Sequence, residues 1–390
     1  MSNCLTMQTR VAQLTPPGSA AIATIALVGP ESWRVVQTRF ATHLGNRLPD
    51  QPTSGRTWFG RLGDAIADEV ILTVSAETPI PRVEIHCHGG RKIVELLMTM
   101  FESAGCIRCR WQELLQLQHP VHLGSAIVHD AMVALTQATT TRTAAILVDQ
   151  WNGALNRAID ALDFSLRAND AGSAREQLHE LTRWTHLGRH LTRPWSVVIA
   201  GPPNVGKSSL INALSGYSRS IVSPIPGTTR DIVKVALALD GWPVEIVDTA
   251  GVRDTHDRIE QAGIQLAWDK IALADVCIWM LDNADPVVWP AAQLRNLHTV
   301  WVRNKADLPM RWDPSLIPGS LPLVATTGEG LEAVIQAVVS ELVPEIPPPG
   351  TAIPFTESWC ERLEGALTSL EATGCQAAWD RLFRGFSGGK

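Results

Sequence analysis

Eight consecutive residues, Gly201-Pro202-Pro203-Asn204-Val205-Gly206-Lys207-Ser208, fit the phosphate-loop pattern G-x-x-x-x-G-K-[ST]. Such a loop binds the phosphates of a nucleotide. Its glycines let backbone N–H groups curl around the anion, and the start of the next helix adds a favourable dipole. Lys207 is expected on the β- and γ-phosphates and the Ser208 hydroxyl on Mg²⁺, with Val205, Gly206 and Ser209 completing the cradle. The pattern alone is common. Here it follows a β-rich run, Ser196–Ala200, and precedes an apolar helix, the context that gives it meaning.

Further motifs narrow the nucleotide. Asp248-Thr249-Ala250-Gly251 closes a strand, where a carboxylate can support the Mg²⁺ shell and Gly251 can sense the γ-phosphate. Asn304-Lys305-Ala306-Asp307 also follows a strand. A carboxylate such as Asp307 accepts two hydrogen bonds from guanine N1–H and its exocyclic amine, a pair adenine cannot offer. Val324-Ala325-Thr326 falls where guanine-binding proteins use backbone amides, and Val324 keeps its N–H although it lacks a serine hydroxyl. Between these motifs lie Ser223-Pro224-Ile225-Pro226 and Gly227-Thr228-Thr229-Arg230-Asp231. A threonine there would complete the Mg²⁺ shell only with the γ-phosphate present, which makes a switch. Together the motifs specify GTP and GDP. The residue after Gly251 is Val252, which has no group to orient an attacking water, so hydrolysis needs another polar residue, a partner or an extra cation.

The elements that must position these residues alternate strand and helix over 194–345, the pattern of a mostly parallel sheet covered on both faces. Strands are expected at Ser196–Ala200, Val233–Leu239, Val244–Asp248, Val276–Leu281, Thr299–Arg303 and Leu323–Ala325, with an Asp240-Gly241 hairpin turn. Residues 1–110 read as a separate α+β domain, with strands at Ile22–Val28, Glu69–Val74 and Arg82–His86 and a helix over Lys92–Phe101. Residues 111–193 lack strand alternation and read as long helices. Residues 346–390 read as a stiff proline-rich linker over Val343–Pro354, then one helical segment from Thr356 to Phe386.

Composition excludes several classes. With 390 residues, 45% hydrophobic and 18% charged, the chain is neither disordered nor fibrous. The net charge of −6 argues against broad electrostatic capture of nucleic acid. The longest apolar run, Leu273 to Leu281, is too short to span a bilayer and contains Asp275, and no signal-peptide core opens the chain, so a cytoplasmic protein without membrane contact is expected. Seven cysteines do not suggest a disulfide framework. His86-Cys87-His88 with Cys106 and Cys109 imitates a zinc site, but strand alternation would turn His86 and His88 one way and Cys87 the other. Arg381, Arg384 and Lys390 form a small basic cluster, most simply a solvated helix face.

The phosphate loop, G-T-T-R-D and D-T-A-G-V-R together resemble the MnmE or TrmE family of tRNA-modification GTPases. Thr15-Pro16-Pro17-Gly18 and Glu84-Ile85-His86-Cys87-His88-Gly89-Gly90 resemble that family's folate-binding-like N-domain, and Phe386-Ser387-Gly388-Gly389-Lys390 its C-terminal F-C-I-G-K. The resemblance implies an α/β P-loop GTPase domain inserted in a helical domain built from discontinuous segments, behind an N-terminal α+β dimerisation domain. It implies a homodimer whose G domains pair around K⁺ held by Asn204, Ser223, Ile225 and Thr228, with Thr229 on Mg²⁺ and Glu260 positioning water through a relay. Lys207, Thr229 and Glu260 are the catalytic set on this reading. A flavin-dependent partner and tRNA are implied as well. Glu84 and Lys390 match two folate contacts, whereas Ala26 and Leu123 stand where the family has Arg and Lys, Ser387 replaces its cysteine, and R-P-G-E-F-T is absent. The rival readings are a diverged GTPase switch or scaffold that has lost the modification chemistry, and a ribosome-assembly GTPase.

Overall fold

A computed structural model describes residues 8–43, 45–64, 66–76, 80–118, 123–217, 234–248, 274–290 and 298–384. The chain divides into two compact units, Met1–His129 and Asp130–Lys390.

The first unit is built on seven strands: β1 (Arg10–Gln13), β2 (Ile22–Val28), β3 (Phe40–Thr42), β4 (Thr57–Gly63), β5 (Ala67–Ala76), β6 (Arg82–His88) and β7 (Ile107–Arg108). Their order is β3-β4-β5-β6-β2-β1-β7, antiparallel throughout except for the parallel β1–β7 edge. Period-2 patterning sets which face is buried: along β6, Val83, Ile85 and Cys87 enter the core while the residues between them do not. Helix α1 (Ser32–Gln37) and helix α2 (Arg91–Ser103) add Trp33, Val36, Val94, Leu97, Met98 and Phe101 to that core. Helix α3 (Trp111–Gln118) contributes Leu114 to a smaller cluster with Ala12, Ala26 and Val28 on the opposite sheet face.

The helical stretch continues through α4 (Leu123–Leu135), α5 (Thr141–Trp151), α6 (Ala154–Arg167), α7 (Ala171–Thr182) and α8 (Thr185–Arg189). The expectation of long helices is corrected here, because none of these exceeds 14 residues. The breaks have local causes. Gly153 (φ 88°) and Asn169 (φ 57°) take left-handed conformations that end one helix before the next begins, and the Asp170 carboxylate caps α7 by accepting from the Ser173 N–H.

Six strands form the second sheet: β8 (Trp195–Ala200), β9 (Lys234–Leu239), β10 (Trp242–Asp248), β11 (Val276–Asp282), β12 (His298–Asn304) and β13 (Leu321–Pro322), in the order β13-β12-β11-β8-β10-β9. Only β9 is antiparallel, joined to β10 by a two-residue turn in which Asp240 (φ 45°) and Gly241 (φ 78°) both have positive φ, as a twist-matched hairpin requires. The last strand, expected at Leu323–Ala325, instead occupies Leu321–Pro322 and ends three residues earlier. Val324 leaves the sheet to pair with Glu329 across a tight turn. Helices α9 (Lys207–Tyr217) and α10 (Leu331–Leu342) follow β8 and β13, with Leu210 and Leu214 of α9 and Val334, Ile335 and Val338 of α10 buried.

The segment read as a stiff spacer is docked instead. Gln150, fully buried, donates to Thr351 O at 3.0 Å and accepts from Ile353 N–H at 3.1 Å, and Asp149 accepts from Gly350 N–H at 2.8 Å. Ile353 and Phe355 are buried as a result. The single C-terminal helix expected over Thr356–Phe386 is two, α11 (Glu357–Thr373) and α12 (Cys375–Phe383), broken at Gly374 (φ 96°).

Candidate functional site

Sheet topology puts the site at one place. β8 lies between β10 and β11, so chain connections depart in opposite directions from its two sides, and ligands of open α/β sheets bind beyond the carboxyl ends of strands at such a switch point. The phosphate loop leaves β8 there. Asp248 ends β10, Asp282 ends β11 and Asn304 ends β12, with Asp248 in register with Ile199 and Asp282 with Asn304.

The loop's shape depends on residues able to take unusual backbone angles. Asn204 has φ 61° and Gly206 φ 102°. A Cβ on Gly206 would sit 2.2 Å from Asn304 Nδ2, so only glycine fits. Lys207 Nζ donates to Gly201 O and Pro202 O, both at 2.9 Å, which stations the ammonium over the loop at the start of α9. Ser208 is exposed in the first turn of that helix, and Ser209 follows it half-buried. The helix start, the loop amides and a lysine make an anion site, and the Ser208 hydroxyl is a hard oxygen donor of the kind Mg²⁺ takes.

Asn304 is only 4% exposed and ties the motifs together. Its Nδ2 donates to Val205 O at 2.7 Å, and its Oδ1 accepts from Ala325 N–H at 3.0 Å. The structure therefore gives Asn304 a joining role between the phosphate loop and the base-side loops. The backbone amides that the sequence suggested for the base are engaged too, Val324 N–H with Glu329 O at 2.9 Å and Ala325 N–H with Asn304. Exposed Thr326 carries the next amide along.

Lys305 adopts φ 60° and its ammonium meets the buried carboxylate of Asp282, whose other oxygen accepts from Ala284 N–H at 2.9 Å. Sequence reading missed Asp282. Its signal was its place at the end of a fully apolar strand, Val-Cys-Ile-Trp-Met-Leu-Asp, where a lone carboxylate needs a partner. Half-buried Ala306 donates from its N–H to Leu323 O at 3.1 Å, and Asp307 is exposed beside it. A cavity of about 700 Å³ brings Ser209, Ala325 and Thr326 together with Asn212, Tyr217 and Leu331.

Ser223, Pro224, Ile225, Pro226, Gly227, Thr228, Thr229, Thr249, Ala250, Gly251, Glu260 and Lys390 lie outside the described residues. In the first unit, Glu84 on β6 faces Ala26 across the β2–β6 register and its carboxylate accepts from Arg82 at 2.7 Å. The zinc imitation dissolves into separate contacts. His86 Nδ1 lies 3.0 Å from Thr24 Oγ1, His88 Nδ1 lies 2.7 Å from Asp68, and Cys87 is buried with its thiol pushed up to about 11 by that burial. Burial likewise raises Cys106 to about 11 and Cys109 above its ordinary value, which leaves little thiolate for redox work at neutral pH.

Among the described residues no helix is long and apolar enough to cross a membrane. A family profile described as 50S ribosome-binding GTPase matches residues 196–306. The chain is similar to the tRNA modification GTPase MnmE of Thermus thermophilus, 31% identical over 390 residues covering 92% of this chain and 87% of the relative. It is also similar to the MnmE of Thermotoga maritima, 30% identical over 377 residues covering 86% and 82%. Among solved structures, the G domain of the Thermotoga maritima FeoB iron transporter aligns at 23% identity over 38% of this chain and 99% of that one, with a TM-score of 0.29.

Proposed function

Because this chain belongs to the MnmE family of tRNA modification GTPases, we propose that its GTP hydrolysis serves tRNA modification and is driven by K⁺-assisted pairing of two G domains. The observation that carries the reading is the phosphate loop itself. Asn204 sits exposed at φ 61°, at the rim of the loop, while Lys207 is stationed behind it. Asn204, Ser223, Ile225 and Thr228 would hold the K⁺, and Ser208 with Thr229 would hold Mg²⁺. A monovalent cation there supplies the charge neutralisation that a guanidinium supplies in other GTPases. Lys207 then holds the β- and γ-phosphates, Asp307 reads guanine, and Glu260 orients water that Val252 cannot. The pairing face belongs to a homodimer, the N-terminal unit to dimerisation, and wobble uridine of tRNA to a reaction shared with a flavin-dependent partner.

The test is GTP turnover in KCl against NaCl over a range of protein concentrations. Faster turnover in K⁺ that rises with concentration is expected, and Glu260→Ala should slow turnover while leaving nucleotide affinity nearly unchanged. Equal rates in both salts at every concentration would remove the cation-assisted dimer.

A second reading keeps the GTPase cycle and drops folate. It is favoured by one observation: the Glu84 carboxylate is already neutralised by Arg82 on its own strand, and its cross-strand neighbour is Ala26. Calorimetry with 5-formyl-tetrahydrofolate separates the two, micromolar binding supporting the full family role.

A further inference from the structure

Away from the nucleotide end of the sheet, at the amino ends of β8 and β11, three side chains that the sequence reading did not single out come together. His186 and His190 lie one helical turn apart on and just after α8, and Asp275 immediately precedes β11. One ligand atom from each lies within 4.8 Å of the others, the only such cluster of three among the described residues. We propose that His186, His190 and Asp275 bind one borderline divalent cation, Zn²⁺ by ligand type, and that the ion clamps α8 to the sheet.

The ligand set fits this chemistry. Two imidazoles and a carboxylate suit a borderline ion, and two histidines at i and i+4 share one helix face. With bonds of about 2.0–2.1 Å in tetrahedral geometry, neighbouring ligand atoms stand roughly 3.4 Å apart. His190 Nε2 and Asp275 Oδ1 are 3.8 Å apart, so a small side-chain adjustment brings both onto one ion. His186 is exposed and has freedom to follow.

The surroundings hold the ligands in place. Asp275 Oδ2 accepts from Ser196 N–H at 2.7 Å and Asp275 N–H donates to Ser196 O at 2.9 Å, which leaves Oδ1 directed at His190. The His190 ring stacks on fully buried Trp195 at 3.5 Å between centroids and 11° between planes, and His186 meets the same indole edge-on at 4.8 Å. These ring contacts restrict the orientation of both imidazoles. Three protein ligands leave one position for water.

The experiment uses the full chain, freed of metal with a chelator and titrated with Co²⁺ in excess Mg²⁺ without nucleotide. Saturation at one equivalent, with the intense visible absorption of four-coordinate cobalt and its loss on adding Zn²⁺, is expected. Zn²⁺ should raise the melting temperature. His186→Ala, at an exposed position, and Asp275→Asn, which keeps an acceptor for Ser196 N–H, should each weaken Co²⁺ binding by about tenfold or more. Their unchanged melting temperatures in chelator would confirm that folding is intact. No saturable binding, or equal affinity in wild type and both variants, would reduce the cluster to a His190–Asp275 contact without a metal.

Discussion

On the proposed reading, Asp307 is the residue on which base choice turns: its carboxylate would pair with two guanine donors, so Asp307→Asn exchanges acceptor for donor. GTP binding should fall roughly a hundredfold or more while xanthosine triphosphate binding strengthens, each charged hydrogen bond being worth about 1.5–3 kcal/mol. Competition titrations of the variant with both nucleotides check this, and wild type that bound ATP as well as GTP would overturn the assignment. Asn304 acts on the same affinity by another route. Asn304→Ala strands Val205 O and Ala325 N–H in a buried setting, at about 1–3 kcal/mol each. Lower GDP affinity and a lower melting temperature should appear together. This division of labour was half legible in sequence. The motif types and their order identified the nucleotide, but Asn304 as a joint and Asp282 as the partner of Lys305 each require contacts across 20 to 100 residues that no spacing rule encodes.

Between elements, two contacts carry predictions. Gln150 on α5 satisfies one acceptor and one donor of the segment before α11 from a fully buried position. Gln150→Ala should cost about 2–3 kcal/mol, read as a fall in melting temperature with GTP turnover kept below the transition. Arg189 on α8 forks onto Glu364 of α11, with both bonds at 2.9 Å, and also reaches Glu357. Hydrogen bonds from Arg189, above all, hold the Glu364 carboxyl below the usual carboxylate range. A depressed folded value stabilises above the unfolded value of about 4.3 and loses that contribution as pH falls through the folded value. Glu364→Gln should therefore be less stable than wild type at neutral pH, by under about 1 kcal/mol since Glu364 is 42% exposed, with the gap closing below roughly pH 4. Denaturant midpoints across pH measure it. The sequence announced β8, β10, β11 and β12 to within a residue or two at each end, because buried parallel strands are nearly pure apolar runs. It misplaced the last strand and mistook the docked segment for a spacer, because a Gln150 side chain some 200 residues away is what turns proline-rich chain into packed structure.

For the whole protein, the departures at Ala26, Leu123 and Ser387 bear on the end product. A serine hydroxyl is a poor nucleophile or redox centre at neutral pH beside a thiol. In a host lacking its own enzyme, the expected outcome is intact GTP turnover with little modified wobble uridine, scored by mass spectrometry of digested tRNA. Full restoration would return the chain to the complete family role. Arg183, shortly before β8, meets Glu345, shortly after α10, so the chain approaches β8 and comes back from α10 at neighbouring points. A module whose entry and exit lie side by side can be excised and its stumps resealed with a short linker. If residues 194–345 are the GTPase domain proposed above, they should fold as a free-standing piece, and a cooperative thermal transition of that piece alone, followed by circular dichroism, checks it.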